Sequence, residues 1–159
     1  MSPGRELLLI TGIPGTGKTC YGNKFARRFG FVHVDLDDQQ TLNGLAYDPA
    51  QFIAELTAQR RSVVVTWRFF PDEDIAAVLQ FRNAGFKWIW FDGNRPAALR
   101  EFQKRGTVQD ELFHAQIDRV ENSKIVERLR PTIINSFDQD GKFKPADRLL
   151  REIKRSFTF

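Results

Sequence analysis

The chain has 159 residues, a formal net charge of +4, 42% hydrophobic residues and 15 Phe, which is enough apolar material for one core and too little length for two domains of ordinary size. A lone cysteine, Cys20, excludes an internal disulfide framework and a cysteine-rich zinc site; Met1 to Leu9 lack a signal-type apolar core, and no apolar run approaches the ~18 residues of a membrane span. These features predict one domain over 1–159 in a reducing cytoplasm, with interspersed charges that suit anionic small molecules and are compatible with nucleic acid without indicating it.

Leu7 to Ile10 form a short apolar run of the kind a buried parallel strand uses. The next segment, Gly12-Ile13-Pro14-Gly15-Thr16-Gly17-Lys18-Thr19, fits G-x-x-x-x-G-K-[ST], and Tyr21 to Phe29 continue as a helix. A strand, a glycine loop and a helix in that order make a phosphate-binding loop: glycines let backbone N–H groups turn onto phosphate oxygens, at a helix N-terminus that already favours negative charge. Gly12 through Cys20 are therefore the expected nucleotide-binding segment, with Lys18 reaching the terminal phosphates and the Thr19 hydroxyl ligating Mg2+. The Cys20 thiol itself is read as a small apolar filler without chemistry.

Phe31 to Val34 read as a second strand, followed by Asp35-Leu36-Asp37-Asp38 and a broken helical stretch around Gly44. Pro49 to Gln59 form a helix capped by Asp48. Ser62 to Thr66 carry a β-branched run suited to a central parallel strand. Pro71 to Asp74 supply a proline and three acids for a first helical turn, with the helix running to about Asn83. Phe86 to Phe91 make a fourth strand and Ala97 to Lys104 a helix. Phe113, Ile117 and Val120 line one face of a longer helix. Pro131 to Phe137 hold a fifth strand, Asp140-Gly141 a turn, and Ala146 to Ile153 a closing helix. This alternation predicts an α/β protein, a three-layer α/β/α P-loop fold with a five-stranded parallel sheet, ligands gathering at the carboxyl ends of the strands.

Chemistry is expected at those strand ends. Asp35 and Asp37 lie two apart, so an extended backbone points both carboxylates to one side, one holding Mg2+ through water and the other orienting or deprotonating an acceptor hydroxyl; a solvated acidic turn is the competing reading. His33 packs within its strand. The third strand ends in Thr66 where many P-loop switches and motors carry a metal-holding acid, which disfavours a motor ATPase. Thr66 and Arg68 can line an acceptor pocket, with Arg68 suited to a carboxylate or phosphate or else a plain surface arginine; Trp67, Phe69 and Phe70 wall it or pack in the core. Arg95, Arg100 and Arg105 precede the polar segment Gly106 to Asp110, read as part of a short lid over about 105–115. Arg100 and Arg105 are the candidates to cover the migrating phosphoryl group, against a solvated helix face as the alternative.

The loop near the N-terminus, the Asp35-Leu36-Asp37 after the second strand, the arginine-bearing lid position and the small size together resemble the nucleoside-monophosphate-kinase-like group, shikimate and gluconate kinases in particular. Asp35 and Asp37 match the D-x-D of shikimate kinases, and Leu99 to Gly106 look like the lid entry of gluconate-kinase relatives. The resemblance implies that Arg105 stands near the ATP phosphates and the loop Phe137 to Gly141 beside the adenine. Two departures stand out. Thr66-Trp67-Arg68 replaces the glycine triplet of shikimate kinases, and the lid lacks the His-Phe pair of many gluconate kinases. The resemblance therefore implies the scaffold, ATP and Mg2+, not the acceptor. Asn122-Ser123-Lys124 does not make the guanine-reading pattern, which favours ATP over GTP. The expectation is an ATP-dependent small-molecule kinase transferring the γ-phosphoryl group to a hydroxyl or phosphate. Its rivals are a partner-regulated P-loop ATPase and a polynucleotide- or toxin-like kinase of the same fold.

Overall fold

The computed structural model describes residues 5–68, 71, 73–106 and 110–157. Strand β1 (Leu7–Gly12) is followed by α1 (Lys18–Phe29), β2 (Val32–Asp35), α2 (Gln39–Tyr47), α3 (Pro49–Thr57) and β3 (Val63–Thr66). The chain continues through α4 (Ile75–Asn83), β4 (Lys87–Phe91), α5 (Arg95–Gln103), α6 (Asp110–Ser123), α7 (Ile125–Leu129), β5 (Thr132–Ile134) and α8 (Ala146–Ser156). All strand pairs are parallel, in the order β2-β3-β1-β4-β5. The expected five-stranded parallel sheet is thus present, with β1 at its centre.

Strand alternation sorts the core into two layers. Leu8, Ile10, Val64, Ile89 and Phe91 pack with Tyr21 and Phe25 of α1 and Leu149 and Ile153 of α8. Leu9, Val63, Val65, Trp88 and Trp90 pack on the opposite face, under α2 to α7. Trp67 joins that second core at 3% exposure and also borders a small cavity beside Asp37 and Arg68.

Caps account for several boundaries. Asp48 accepts from the Gln51 N–H with Pro49 at the first turn of α3, and Asn94 does the same for α5 through the Ala97 N–H. The stretch around Gly44 is one continuous helix, because Asp38 caps α2 through the Thr41 N–H and Gly44 lies beside the Phe52 ring. Helix α4 starts at Ile75 instead of Pro71: its first hydrogen bonds run from Ala77 and Val78 to the Asp74 carbonyl, so apolar spacing sets the start and the acids precede it. Helix α7 has only five residues, between Lys124 (φ 54) and Arg130 (φ 50), too short for any periodicity to reveal. The segment 105–115, expected to hold a short lid, is helical from Asp110 onward as the start of α6, while Thr107 to Gln109, like Phe69 and Phe70, lie outside the described residues. Among the described residues no helix is long and apolar enough to cross a membrane.

The junction of β1 and the following loop is set by close backbone approach. Gly12 has φ 141, and a Cβ there would stand 2.3 Å from the Phe91 carbonyl oxygen of β4, inside van der Waals distance of an atom the sheet holds fixed. Replacing Gly12 by Ala is expected to cost about 2 kcal/mol or more, lowering the thermal midpoint by roughly 4 °C or more, measurable by circular dichroism.

Candidate functional site

The loop between β1 and α1 is assembled from its own backbone and three neighbouring segments. The Ile13 N–H donates to the Phe91 carbonyl at 3.1 Å, the Thr16 hydroxyl to the Ile13 carbonyl at 2.9 Å, and the Ser136 hydroxyl to the Thr16 carbonyl at 2.8 Å. Gly15 (φ 79) lets α5 abut the loop, since a Cβ there would lie 2.0 Å from the Ala98 carbonyl oxygen. Gly17, also left-handed, is the N-cap of α1. The loop therefore opens the N-terminus of a helix toward the carboxyl edge of the sheet, an arrangement suited to anions.

Lys18 folds back over this loop. Its Nζ donates to the Ile13 carbonyl at 2.8 Å and the Gly12 carbonyl at 3.4 Å, and its side chain is buried. Burial lowers its pKa to about 8, opposed by the nearby Asp37 carboxylate and reinforced by the Arg105 and Arg68 cations. The same four side chains border one cleft of about 300 Å³. Pro14, Gly15 and Thr19 form its floor beside Lys18, Asp37 and Arg68 one wall, and Arg105 closes it with Phe102, Leu112 and Gln116.

Asp37 and Arg68 form the hinge of that wall. The Arg68 backbone N–H donates to Asp37 Oδ1 at 3.1 Å, and Arg68 Nε stands 3.9 Å from the same oxygen. The backbone does not run extended from Asp35 to Asp37: β2 ends at Asp35, whose Oδ1 accepts the Asp37 N–H at 2.9 Å, while the Asp38 N–H returns to the Asp35 carbonyl. The turn gives the two carboxylates different surroundings. Val32 and Val34 pack on the α2–α7 side, which leaves His33 and Asp35 on the α1 side, where the loop and Thr19 begin, whereas Asp37 enters the cleft.

Thr66 is fully buried and turned away from the cleft, its Oγ1 2.7 Å from His33 Nε2; His33 Nδ1 lies 2.9 Å from Asn23 Oδ1 on α1. His33 fills the space beside Gly22, and burial keeps its pKa below the ordinary value against the pull of Asp35. Arg100 is exposed and lies beside Gly141, 2.8 Å from where a Cβ on that residue would stand; it borders the turn after β5 instead of joining Arg105, because Arg100 is on α5 and Arg105 stands in the turn beyond its end at Gln103. Arg95 is engaged by Asp92, at 3.1 Å, and by Glu121, bracing α5 against α6. Cys20 is exposed on α1 and lines no part of the cleft.

Phe102, Leu112 and Gln116 were not legible as cleft residues. Leu112 and Gln116 stand one turn apart on α6, on a face other than that of the buried Phe113 and Ile117. The available signal is an apolar residue outside the buried stripe; Leu112 is 52% exposed.

For a divalent cation α1 offers one hard oxygen donor, the Thr19 hydroxyl, and the end of β2 another, the Asp35 carboxylate. Among the described residues no three acidic, histidine or cysteine side chains cluster to hold a metal alone. That donor set fits Mg2+, which keeps waters and takes few protein ligands beside phosphate oxygens.

Sheet order, loop and helices define the fold of the P-loop kinases. No family model and no curated protein matches the chain; solved structures do, in fold. A gluconokinase from Sinorhizobium meliloti 1021 aligns with a TM-score of 0.59 at 16% identity, over 95% of this chain and 90% of its own. A shikimate kinase from Acinetobacter baumannii, in complex with shikimate, aligns at 0.62 and 13% identity over 98% and 97%. The tunicamycin resistance protein of Deinococcus radiodurans aligns at 0.61 and 13% identity over 95% and 94%. The resemblance to gluconate and shikimate kinases thus extends to the fold along nearly the whole chain.

The buried Lys18 ammonium has a consequence for stability. Its folded pKa is lowered, so the unfolded chain binds more protons between about pH 8 and 10.5. The penalty on folding, on the order of 3 kcal/mol at most, is fully present below about pH 8 and disappears as pH rises through 10.5. Lys18→Met is expected to raise the stability of the ligand-free protein at pH 7 by about 1–3 kcal/mol, with the gap to wild type narrowing toward pH 10 in urea unfolding.

Proposed function

We propose that the chain is an ATP-dependent kinase that transfers the γ-phosphoryl group to a hydroxyl of a small-molecule acceptor held at Asp37; an acceptor phosphate is the variant of the same reaction. The observation that carries this reading is the convergence of Lys18, Asp37, Arg68 and Arg105 on one cleft above the glycine loop. The backbone N–H groups from Gly15 through Cys20 hold the phosphates. Lys18 moves from the loop carbonyls to the β- and γ-phosphate oxygens, exchanging two neutral acceptors for anionic ones that match its charge.

Thr19 and Asp35 hold Mg2+, whose chemistry is to neutralise charge on the migrating phosphoryl group. Arg105 covers that group from the α5 side and, with Phe102 and Leu112, excludes water from the cleft. Asp37 accepts the proton of the attacking hydroxyl, and Arg68 fixes its carboxylate through the backbone N–H. A cavity of about 130 Å³ shares Asp37 and Arg68 with the cleft and extends between α2 and the segment before α4, past Gln39, Glu73 and Asp74. The acceptor sits there, its reactive hydroxyl at Asp37 and its remaining polar groups on these side chains. Arg100, beside Gly141, faces the adenine.

The test is ADP release from Mg-ATP with pools of sugar acids, polyols, nucleosides and nucleotides. One pool is expected to stimulate turnover, Lys18→Ala to abolish it, and Asp37→Asn to lower kcat by about 10²–10⁴-fold with ATP affinity retained. Turnover indifferent to every pool would instead favour a partner-regulated ATPase. Unchanged release by Lys18→Ala would remove the nucleotide site from this loop.

A further inference from the structure

The charges that are dispersed along the sequence are gathered in space. Helices α1 and α8 lie side by side on one face of the sheet, sharing the core of Tyr21, Phe25, Leu149 and Ile153. Their outward positions carry Arg27 and Arg28 in the last turn of α1 and Arg148, Arg151, Lys154 and Arg155 along α8, all exposed. The 12 residues of α1 include no acid, and α8 contributes only Asp147 and Glu152. These six cations and two acids match by themselves the net charge of +4 carried by the whole chain. Arg61 adds to the same end, donating to the Gly30 carbonyl at 2.9 Å just past α1.

Glu152 is shared between Lys144 and Arg148, and Arg27, Arg28 and Arg151 make no ion pair among the described residues. Beside Arg28, Phe29 leaves 40% of its surface exposed, one of four large apolar side chains so exposed among the described residues. Arg28 lies roughly 15 Å along the helix from Lys18, so the Arg27–Phe29 end of the face is separate from the phosphate loop.

We propose that this α1–α8 face binds single-stranded nucleic acid, its arginines on the phosphodiester backbone and Phe29 as a stacking platform for a base. Arginine predominates over lysine, and its guanidinium fork pairs with phosphate oxygens in a bidentate manner. An anionic membrane surface would require apolar side chains alternating with the cations to enter the headgroup boundary, and the outward positions of α8 are charged. An aromatic ring set among arginines is the arrangement by which single strands are held without sequence preference. The proposal does not depend on the phosphoryl acceptor.

The experiment is fluorescence anisotropy of a labelled single-stranded DNA or RNA of about 16 nucleotides, at KCl from about 50 to 200 mM. For three or four backbone contacts the slope of log K against log salt is expected near −2 to −3. The triple charge reversal Arg27→Glu, Arg28→Glu, Arg151→Glu is expected to weaken binding at least tenfold and flatten that slope. Phe29→Ala is expected to weaken single-strand binding about fivefold or more, as loss of one stacked base does, without affecting a duplex. All four side chains are exposed, and unchanged circular dichroism establishes that the variants are folded. Saturating Mg-ATP should leave binding intact. Absence of salt-dependent binding, wild-type affinity in the triple variant, displacement by Mg-ATP, or binding only to phosphatidylserine vesicles would each overturn the proposal.

Discussion

The fold turns on a buried ammonium clasped by backbone carbonyls. Lys18 reaches Ile13 and Gly12 only because the chain between β1 and α1 closes on itself, and that closure needs glycine where Phe91 and Ala98 press against the loop. The central position of β1 follows from the same requirement: with β3 on one side and β4 on the other, the loop emerges where both crossovers leave room at the carboxyl edge. Ser136, from the segment after β5, ties the far side of the loop to the sheet. The loop is thus anchored in the most buried part of the protein, and the loss of hydration at Lys18 is a standing cost to the fold.

The treatment of the strand ends departs from P-loop switches in one respect. β3 ends in a buried threonine whose hydroxyl meets His33, and His33 in turn meets Asn23 of α1. That chain of side chains fills the place beside Gly22 and stitches α1 to β2 and β3. With no acid at the end of β3, a carboxylate on the α1 side of the sheet is supplied by Asp35, and the tight turn after it frees Asp37 for the cleft. Two acids two residues apart are thereby separated in environment, the condition under which neighbouring carboxylates take different roles.

How much of this was legible follows from what each feature depends on. The glycine loop, the strand runs and the capped helices are local, and sequence alone indicated them. The different surroundings of Asp35 and Asp37 depend on a backbone turn that two residues of spacing do not reveal. Arg100 and Arg105 read alike in sequence, but α5 carries Arg100 toward Gly141 and ends before Arg105, which the following turn brings near Lys18. Thr66 seemed a pocket residue because it ends a strand; its partner His33 lies on a neighbouring strand, and the pairing register decides that contact. Leu112 and Gln116 were invisible because the periodicity of α6 announces its buried face, not the face that meets the cleft.

The distribution of difference across the relatives follows the same physics. At 13–16% identity the gluconokinase and shikimate kinase still superpose over nearly the whole chain, since the sheet asks only for apolar side chains of the right alternation and the loop for a few glycines and a lysine. The walls of the cleft beyond the loop are built otherwise: Gln39 from α2, Arg68 and Glu73 from the segment between β3 and α4, Leu112 and Gln116 from α6. None of these positions is fixed by sheet packing, so each is free to follow the molecule it meets. The loop end of the cleft is therefore dictated by the fold and the far end by this chain alone, which is why the side chains around Asp37, rather than the architecture, carry the information about what the cleft takes.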